Sequence, residues 1–230
     1  MLLSEIIYNV KNLISGGVTS DDLNIRDSQF SFIINYYRSK LLKQDSERGR
    51  LNLDLYKQNL GKVEVIMADK NECCDIDACI IRTKHKIPTP SETGSGLNIT
   101  FVGLLGGNPF QKQMHNSVMW GNHSKYTKNI TKWYYRSGYL YIVNPPTNEL
   151  KWINIEGVFE KPEEAVKFRT CDCPDNNEDC FDSLDIKYPL PEYHVDTIVK
   201  MIADTELKIL TGLGKDDTNN GEDELLDPSK

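Results

Sequence analysis

The spacing of apolar residues changes twice along this 230-residue chain, and that change constrains the fold more than any other feature. Near the start, residues 2–14 carry apolar side chains at intervals of three and four, and a second stripe of this kind follows Asp27. A third stripe runs from Pro191 to Leu210. Such intervals place apolar side chains on one face of an α-helix. The sequence therefore predicts helices near both ends of the chain.

The boundaries of these helices have recognisable signals. Asp27 is a residue type favoured at a helix N-cap, and Pro191 suits the first turn of a helix. When two amphipathic helices pack only against each other, part of each apolar stripe stays exposed along the groove between them. We therefore expect the C-terminal helix to cover the two N-terminal ones.

Between the helices the residues are typical of strands. Short runs rich in β-branched and aromatic residues are bounded by Gly, Pro, Asn and Asp, and they occupy residues 63–68, 79–82, 97–104, 133–136, 139–143 and 150–158. Ser137-Gly138 predicts a two-residue hairpin turn within a β-meander. The meander's aromatic residues are expected to pair across strands on one face of the sheet; they are Trp133, Tyr135, Tyr139, Tyr141 and Trp152.

These patterns predict an α+β fold, in which N-terminal and C-terminal helices form a bundle that carries an inserted antiparallel β-rich domain. The expected boundaries are residues 1–60 for the N-terminal part of the bundle and 61–187 for the insertion. Residues 188–213 would supply the C-terminal bundle helix, and residues 214–230 an acidic tail or arm.

Composition and charge limit the classes of function. With 39% hydrophobic and 27% charged residues the chain is typical of a soluble globular protein. Glu5 and Lys11 interrupt the apolar N-terminal segment, so we expect an internal compartment rather than secretion. A formal net charge of -7, concentrated toward the C-terminal end, disfavours a broad basic surface for nucleic acid.

The six cysteines are the sharpest local signal for chemistry: Cys73, Cys74, Cys79, Cys171, Cys173 and Cys180. Four thiolates could hold a zinc ion if the two clusters met in the fold, with His85 or His194 as substitutes. Neither cluster has the repeated Cys-x-x-Cys spacing, so small buried side chains are the more ordinary interpretation. A nucleophilic Cys74 or Cys180 would make the chain a cysteine hydrolase. We expect no bound cofactor, with zinc as the alternative.

Other motifs are weaker. Asp172, Asp175, Glu178, Asp179 and Asp182 lack the spacing of a calcium loop, and a solvated acidic loop is favoured. Lysines alternate with aromatic residues around 125–136, as in single-strand nucleic acid binding proteins. Lysines that protect an exposed hairpin edge are the competing interpretation. With no familiar catalytic motif, we expect a protein that is not an enzyme.

Several stretches resemble a known family. Residues 27–45 contain Phe30-x-x-Ile33-Ile34-x-x-Tyr37-Arg38-x-x-Leu41-Leu42-Lys43 and resemble the second helix of neck ring proteins in crAss-like phages. Tyr188-Pro189-Leu190-Pro191-Glu192-Tyr193 and Asp216-Asp217-Thr218-Asn219-Asn220 are similar as well. More remotely, the order of helix, β-insertion and helix resembles the tail adaptor proteins of short-tailed phages.

The resemblance implies a structural virion protein and a head-to-tail connector. Members of the family form homo-oligomeric rings, typically of twelve copies, that join the portal protein to the tail while DNA passes through the central channel. It implies no membrane, assembly in the host cytoplasm and no specific DNA binding. The alternative function is a metal-stabilised single-stranded nucleic acid binding module. Residues expected to contact other subunits are Arg38, Lys43, Trp133, Tyr135, Tyr139 and Trp152.

Overall fold

A computed structural model describes residues 1–14, 26–69, 80–94, 96–117, 125–147, 149–170 and 184–207. The chain divides into two compact units. The first consists of Met1–Lys40 together with Leu190–Lys230, and the second consists of Leu41–Pro189.

The first unit is helical. Its elements are α1 (Leu3–Ile14), most of α2 (Asp27–Glu47), α4 (Glu192–Ile202) and a π-helical turn (Ala203–Leu207). The helices predicted near both ends of the chain are confirmed, and α2 begins at Asp27 as expected. α1 contacts both α4 and the π-helical turn. The apolar stripes are buried on one side of each helix, as Ile6, Ile34 and Ile198 illustrate.

Polar contacts also hold the helices of the first unit together. Lys11 Nζ of α1 lies 2.5 Å from a carboxylate oxygen of Asp27, at the start of α2. The Tyr37 hydroxyl of α2 hydrogen-bonds to the Thr205 hydroxyl of the π-helical turn. Segments more than 160 residues apart in sequence therefore meet within this unit.

The second unit is built on strands. A seven-stranded sheet has the order β5-β9-β1-β2-β8-β7-β6, and β3 and β4 form a separate two-stranded sheet. The strands are β1 (Gln58–Met67), β2 (Ile80–Thr83), β3 (Glu92–Thr93), β4 (Gly96–Leu97), β5 (Ile99–Gly103), β6 (Gln111–Lys112), β7 (Lys132–Arg136), β8 (Tyr139–Val143) and β9 (Trp152–Gly157). The six strands expected from the sequence are all present, although β1 begins five residues earlier than its apolar run.

The two edge strands of the large sheet are consecutive in sequence. β5 ends at Gly103 and β6 begins at Gln111, although they lie at opposite ends of the strand order. The Phe110 amide donates to the Val102 carbonyl oxygen at 2.7 Å, and Gly103 forms an antiparallel bridge with Pro109. Such a short connection between the edges requires the sheet to curl. The backbone of β5 is therefore partly covered by the returning chain.

One face of the curled sheet carries the main core. Its fully buried members come from every long strand and include Val63 of β1, Leu140 of β8 and Ile153 of β9. Helix α3 (Pro162–Thr170) contacts β1 and adds Ala165 and Phe168 to this cluster. Burial of aliphatic side chains on this scale is the dominant favourable term in folding.

The expected architecture, a helical bundle with an inserted antiparallel β-rich domain, is wrong. The described part of the chain is built mainly on the curled seven-stranded sheet, and it also contains four α-helices. The sheet is mixed rather than antiparallel, because β6 pairs with β7 in parallel through Gln111 and Lys132. Local periodicity identified individual elements, but it carries no information about which set of elements encloses the larger core.

Candidate interaction surface

The two α2 residues expected to contact other subunits lie in different environments. The Arg38 side chain is fully buried, whereas Lys43 is exposed. A side chain without exposed surface can act on another subunit only through the residues around it. Lys43 remains a candidate contact residue, and Arg38 belongs to the interior of the chain.

The aromatic residues of the meander do not share one face. Tyr135 lies opposite Leu140 and Trp133 opposite Ile142 in the β7–β8 register, and all four face the main core. Trp133 is only 3% exposed, and its indole Nε1 donates to the Phe110 carbonyl oxygen at 3.1 Å. Tyr135 is half-buried against the same core. Burial, and then the negative charge of Glu160, raise the pKa of its hydroxyl.

Tyr139 and Tyr141 lie on the opposite face of the same strands, so the expectation of a single aromatic face is wrong. Tyr141 stacks on Tyr134 of β7, with ring centroids 5.0 Å apart and planes inclined by 4°. The His115 ring meets Tyr134 edge-on at 5.1 Å. This arrangement follows from the alternation of side chains along a strand, because residues separated by an odd number of positions point to opposite faces.

Positive charge gathers around Tyr139. The Arg82 guanidinium carbon lies 4.4 Å from the centroid of the Tyr139 ring, and Lys86 Nζ lies 6.0 Å from it. Arg136 pairs with Tyr139 across the β7–β8 hairpin, and Lys84 follows Arg82 at the end of β2. We call the surface formed by Arg82, Lys84, Lys86, Arg136 and Tyr139 the cationic face.

Two cations of the cationic face have polar partners at close range. Lys84 Nζ lies 2.7 Å from a carboxylate oxygen of Glu64. The Arg136 guanidinium donates to Nε2 of His115 at 2.9 Å, which adds no negative charge. Lys84, Lys86 and Arg136 are exposed. The cationic face thus brings four basic side chains together in a chain whose net charge is -7.

Apolar side chains border the cationic face. Ile66 of β1 pairs with Arg82 and is 37% exposed. Trp152 of β9 pairs with Glu64 and is 44% exposed. Met67, next to Ile66, is 65% exposed. Exposed apolar groups beside charged groups are typical of surfaces that bind other chains.

Lys132 does not add to this field. It is a buried residue of β7, and burial lowers the pKa of its amine. Because Lys132 and Trp133 are both buried, the lysines and aromatic residues around 125–136 do not form a continuous exposed platform, although Tyr126 is 87% exposed. The structure offers no specific support for the single-strand binding alternative.

The candidate metal and nucleophile residues are mostly outside the described residues. All six cysteines and the acidic residues at 172–182 fall there. His85 is exposed and His194 is partly buried beside Tyr193. Within the described ranges, no three or more His, Cys, Asp and Glu side chains are placed to hold a metal ion. The zinc and hydrolase alternatives stay predictions.

Most residues of the cationic face were not predicted to lie together. Arg82, Lys84 and Lys86 are spaced two residues apart in the printed sequence, and this spacing puts side chains on one face of an extended segment. This spacing could have predicted that the three basic side chains share a face. Arg136 and Tyr139 join them only through the pairing of β2 with β8 and of β8 with β7.

Comparison with protein-family models places the chain among the structural ring proteins of phage tails. The model that matches, over residues 5–225, is described as phage tail ring protein 2 of crAss-like phages, and the chain belongs to this family. The resemblance to neck ring proteins is thereby confirmed, and the protein is a virion component. No curated protein matches the chain. In the described part of the chain, no helix is long and apolar enough to cross a membrane.

Proposed function

We propose that this protein forms a homo-oligomeric ring of about twelve copies in the phage neck, where it joins the portal protein to the tail around the DNA channel. The observation that carries the proposal is the family match across residues 5–225. Assembly would take place in the host cytoplasm. The role is structural, and the proposal assigns no catalysis to the chain.

The form of the large sheet supports contacts made by side chains rather than by added strands. A free edge strand can pair with a strand of another chain. Here β6 is only two residues long, and the connection from β5 folds back along the other edge. Copies of the chain would therefore meet through faces that carry exposed apolar and charged groups. Of the expected contact residues, Lys43 and Trp152 are exposed and Tyr139 is partly exposed, which supports this role for them.

The charge balance supports a channel through which DNA passes without specific binding. A net charge of -7 gives an unfavourable average interaction with a phosphate backbone. Rapid passage of a genome requires that the surrounding ring does not hold it. The positive charge at the cationic face is local and is bordered by apolar groups, which suits a contact between proteins.

The test is assembly on the portal. We expect the purified full-length chain, mixed with the portal protein of the same phage, to form closed rings visible by electron microscopy, with a native mass of about twelve copies. A chain that stays monomeric with the portal present would overturn the proposal. Bovine serum albumin at the same concentration provides the control for adventitious binding to the portal.

A further inference from the structure

Exposed apolar side chains gather at one end of the large sheet. β1 and β5 both run antiparallel to β9, so the end of β1, the end of β5 and the start of β9 lie together. The apolar residues at this end are each at least 36% exposed. We call them the sheet-end patch; they are Ile66, Met67, Leu104, Leu105 and Trp152.

A tight turn fixes two leucines of the patch. The Gly107 amide donates to the Leu104 carbonyl oxygen at 3.0 Å, and Gly106 has a φ of 72°, a conformation that favours glycine at this position of a turn. Leu105 is 56% exposed in this turn. Because the turn already holds the backbone, the leucines lose little conformational freedom when they bind a partner. Contiguous exposed apolar groups mark sites of interaction with other chains.

A second exposed apolar surface lies on α2. Phe32 is 69% exposed and Tyr36 is 58% exposed, and residues four apart share one face of a helix. The opposite face of α2 is buried through Phe30, Ile34 and Leu41. α2 is therefore apolar on two sides, although a helix that packs only within its own chain needs one apolar side. We call Phe32 and Tyr36 the aromatic stripe.

We propose that the aromatic stripe of one copy packs on the sheet-end patch of a neighbouring copy. The inference rests on the proposed ring, since it requires adjacent copies of the chain. Neighbours in a closed ring of many copies are joined through two different surfaces, because a surface that binds itself produces a two-fold pair. The chain carries two such apolar surfaces, one in each compact unit.

The sizes of the two surfaces match. From β1 across β9 to β5 is two strand spacings, about 10 Å, and an α-helix with its side chains is about 10–12 Å wide. If a large side chain presents about 200 Å² in full, the two surfaces together expose on the order of 700 Å² of apolar area. A standard protein interface buries about 1,600 Å², a little over half of it apolar. The contact would thus supply most of the apolar area of a stable interface.

Charged residues border both surfaces. Lys40 is exposed one turn after Tyr36. The Lys84–Glu64 ion pair lies beside the patch, because Glu64 of β1 pairs with Trp152 of β9. An apolar centre with a polar rim is the usual form of a protein interface. Salt screens the charges of the rim and leaves the apolar centre in place.

Photo-cross-linking with isotope labels tests the inference. Full-length protein with p-benzoylphenylalanine in place of Phe32 is mixed with an excess of ¹⁵N-labelled wild-type protein, assembled on the portal and irradiated, so that the benzophenone inserts into nearby C–H bonds. We expect links from the unlabelled peptide of residue 32 to labelled peptides that contain Met67, Leu105 or Trp152. The same group in place of Tyr193, which is 64% exposed on α4, provides the control and should not link to these peptides.

Matched substitutions measure the contribution of the contact. Met67→Glu places a charge within the patch and should weaken ring assembly about tenfold. Leu105→Glu, in the turn, should act in the same way. Met114→Glu is the control, because Met114 is 81% exposed and does not belong to the patch, and its rings should form as those of the wild type. All three side chains are exposed, so the urea midpoints of the unassembled variants should match that of the wild type.

Three outcomes would overturn the inference. Wild-type rings without links from residue 32 to labelled peptides of the patch would refute this contact and leave the proposed ring intact. Links from residue 32 to the portal protein alone would assign the aromatic stripe to a different partner. Assembly of Met67→Glu and Leu105→Glu as strong as that of Met114→Glu would show that the patch does not join copies. Absence of rings for the wild type would instead refute the proposed function.

Discussion

At the scale of single residues, two tryptophans of the same sheet have opposite environments. Trp133 of β7 is 3% exposed within the main core, and Trp152 of β9 is 44% exposed on the other face. Both were expected to contact other subunits. The face of the sheet on which each tryptophan lies decides whether it belongs to the core or to the surface.

The pair allows a matched test of that assignment. Trp133→Ala should lower the free energy of unfolding by about 3–5 kcal/mol, because it removes a large buried side chain and leaves a cavity. Trp152→Ala should cost less than about 1 kcal/mol. Urea denaturation followed by circular dichroism measures both. Equal losses for the two variants would contradict the placement of the main core.

At the scale of elements, the β7–β8 hairpin positions the cationic face. Its two turn residues have positive φ, 52° at Ser137 and 88° at Gly138, which is the pattern of a type I′ turn. The turn sets the register that places Arg136 opposite Tyr139. A Cβ added at Gly138 would lie 3.3 Å from side-chain carbons of Lys86, so this turn also contacts the cationic face directly.

Two substitutions in the turn should act in opposite directions. Gly138→Ala should destabilise the protein by about 1–3 kcal/mol, since the left-handed conformation is strained for alanine. Ser137→Asn should stabilise it by about 0.5 kcal/mol, because asparagine favours this position of the turn. Thermal unfolding of both variants beside the wild type provides the measurement. Stabilisation by Gly138→Ala would be incompatible with this turn.

Helix α3 has clear helix signals in its sequence. It was not predicted, although Pro162 in the first turn, Glu163 and Glu164 after it, and basic residues in the last turn are all favourable helix signals. The nine-residue helix is short, and its apolar contribution is limited to Ala165 and Phe168. A stripe of that length is hard to distinguish from a loop by periodicity.

At the scale of the whole molecule, charge acts in two opposing ways. The net charge of -7 makes copies of the chain repel one another, whereas the basic side chains of the cationic face can attract acidic groups of another chain. Salt screens both interactions, with a Debye length that falls from about 10 Å at 0.1 M to about 3 Å at 1 M. The direction of the salt effect therefore tells which interaction dominates assembly.

We expect ring formation on the portal to weaken about tenfold when salt is raised from about 0.1 to 1 M, because the local attraction acts at short range between copies. Sedimentation velocity at several protein concentrations provides the measurement, with the urea midpoint of the unassembled chain as a control for loss of folding. Stronger assembly at high salt would contradict this expectation and would indicate that apolar contacts dominate assembly.

The sequence by itself determined the helices near both ends of the chain, the six main strands, the hairpin at Ser137-Gly138 and, through its resemblance, the family. These features depend on local patterns: apolar periodicity, capping residues and turn residues. The tertiary structure alone decided that a curled mixed sheet, not a helical bundle, carries the larger core. It also decided that Trp133 is buried, that Tyr139 lies beside Arg82 and that Arg136 lies opposite Tyr139. Such outcomes depend on which strands pair and in which register, and pairing joins residues far apart in sequence whose local patterns do not encode one another.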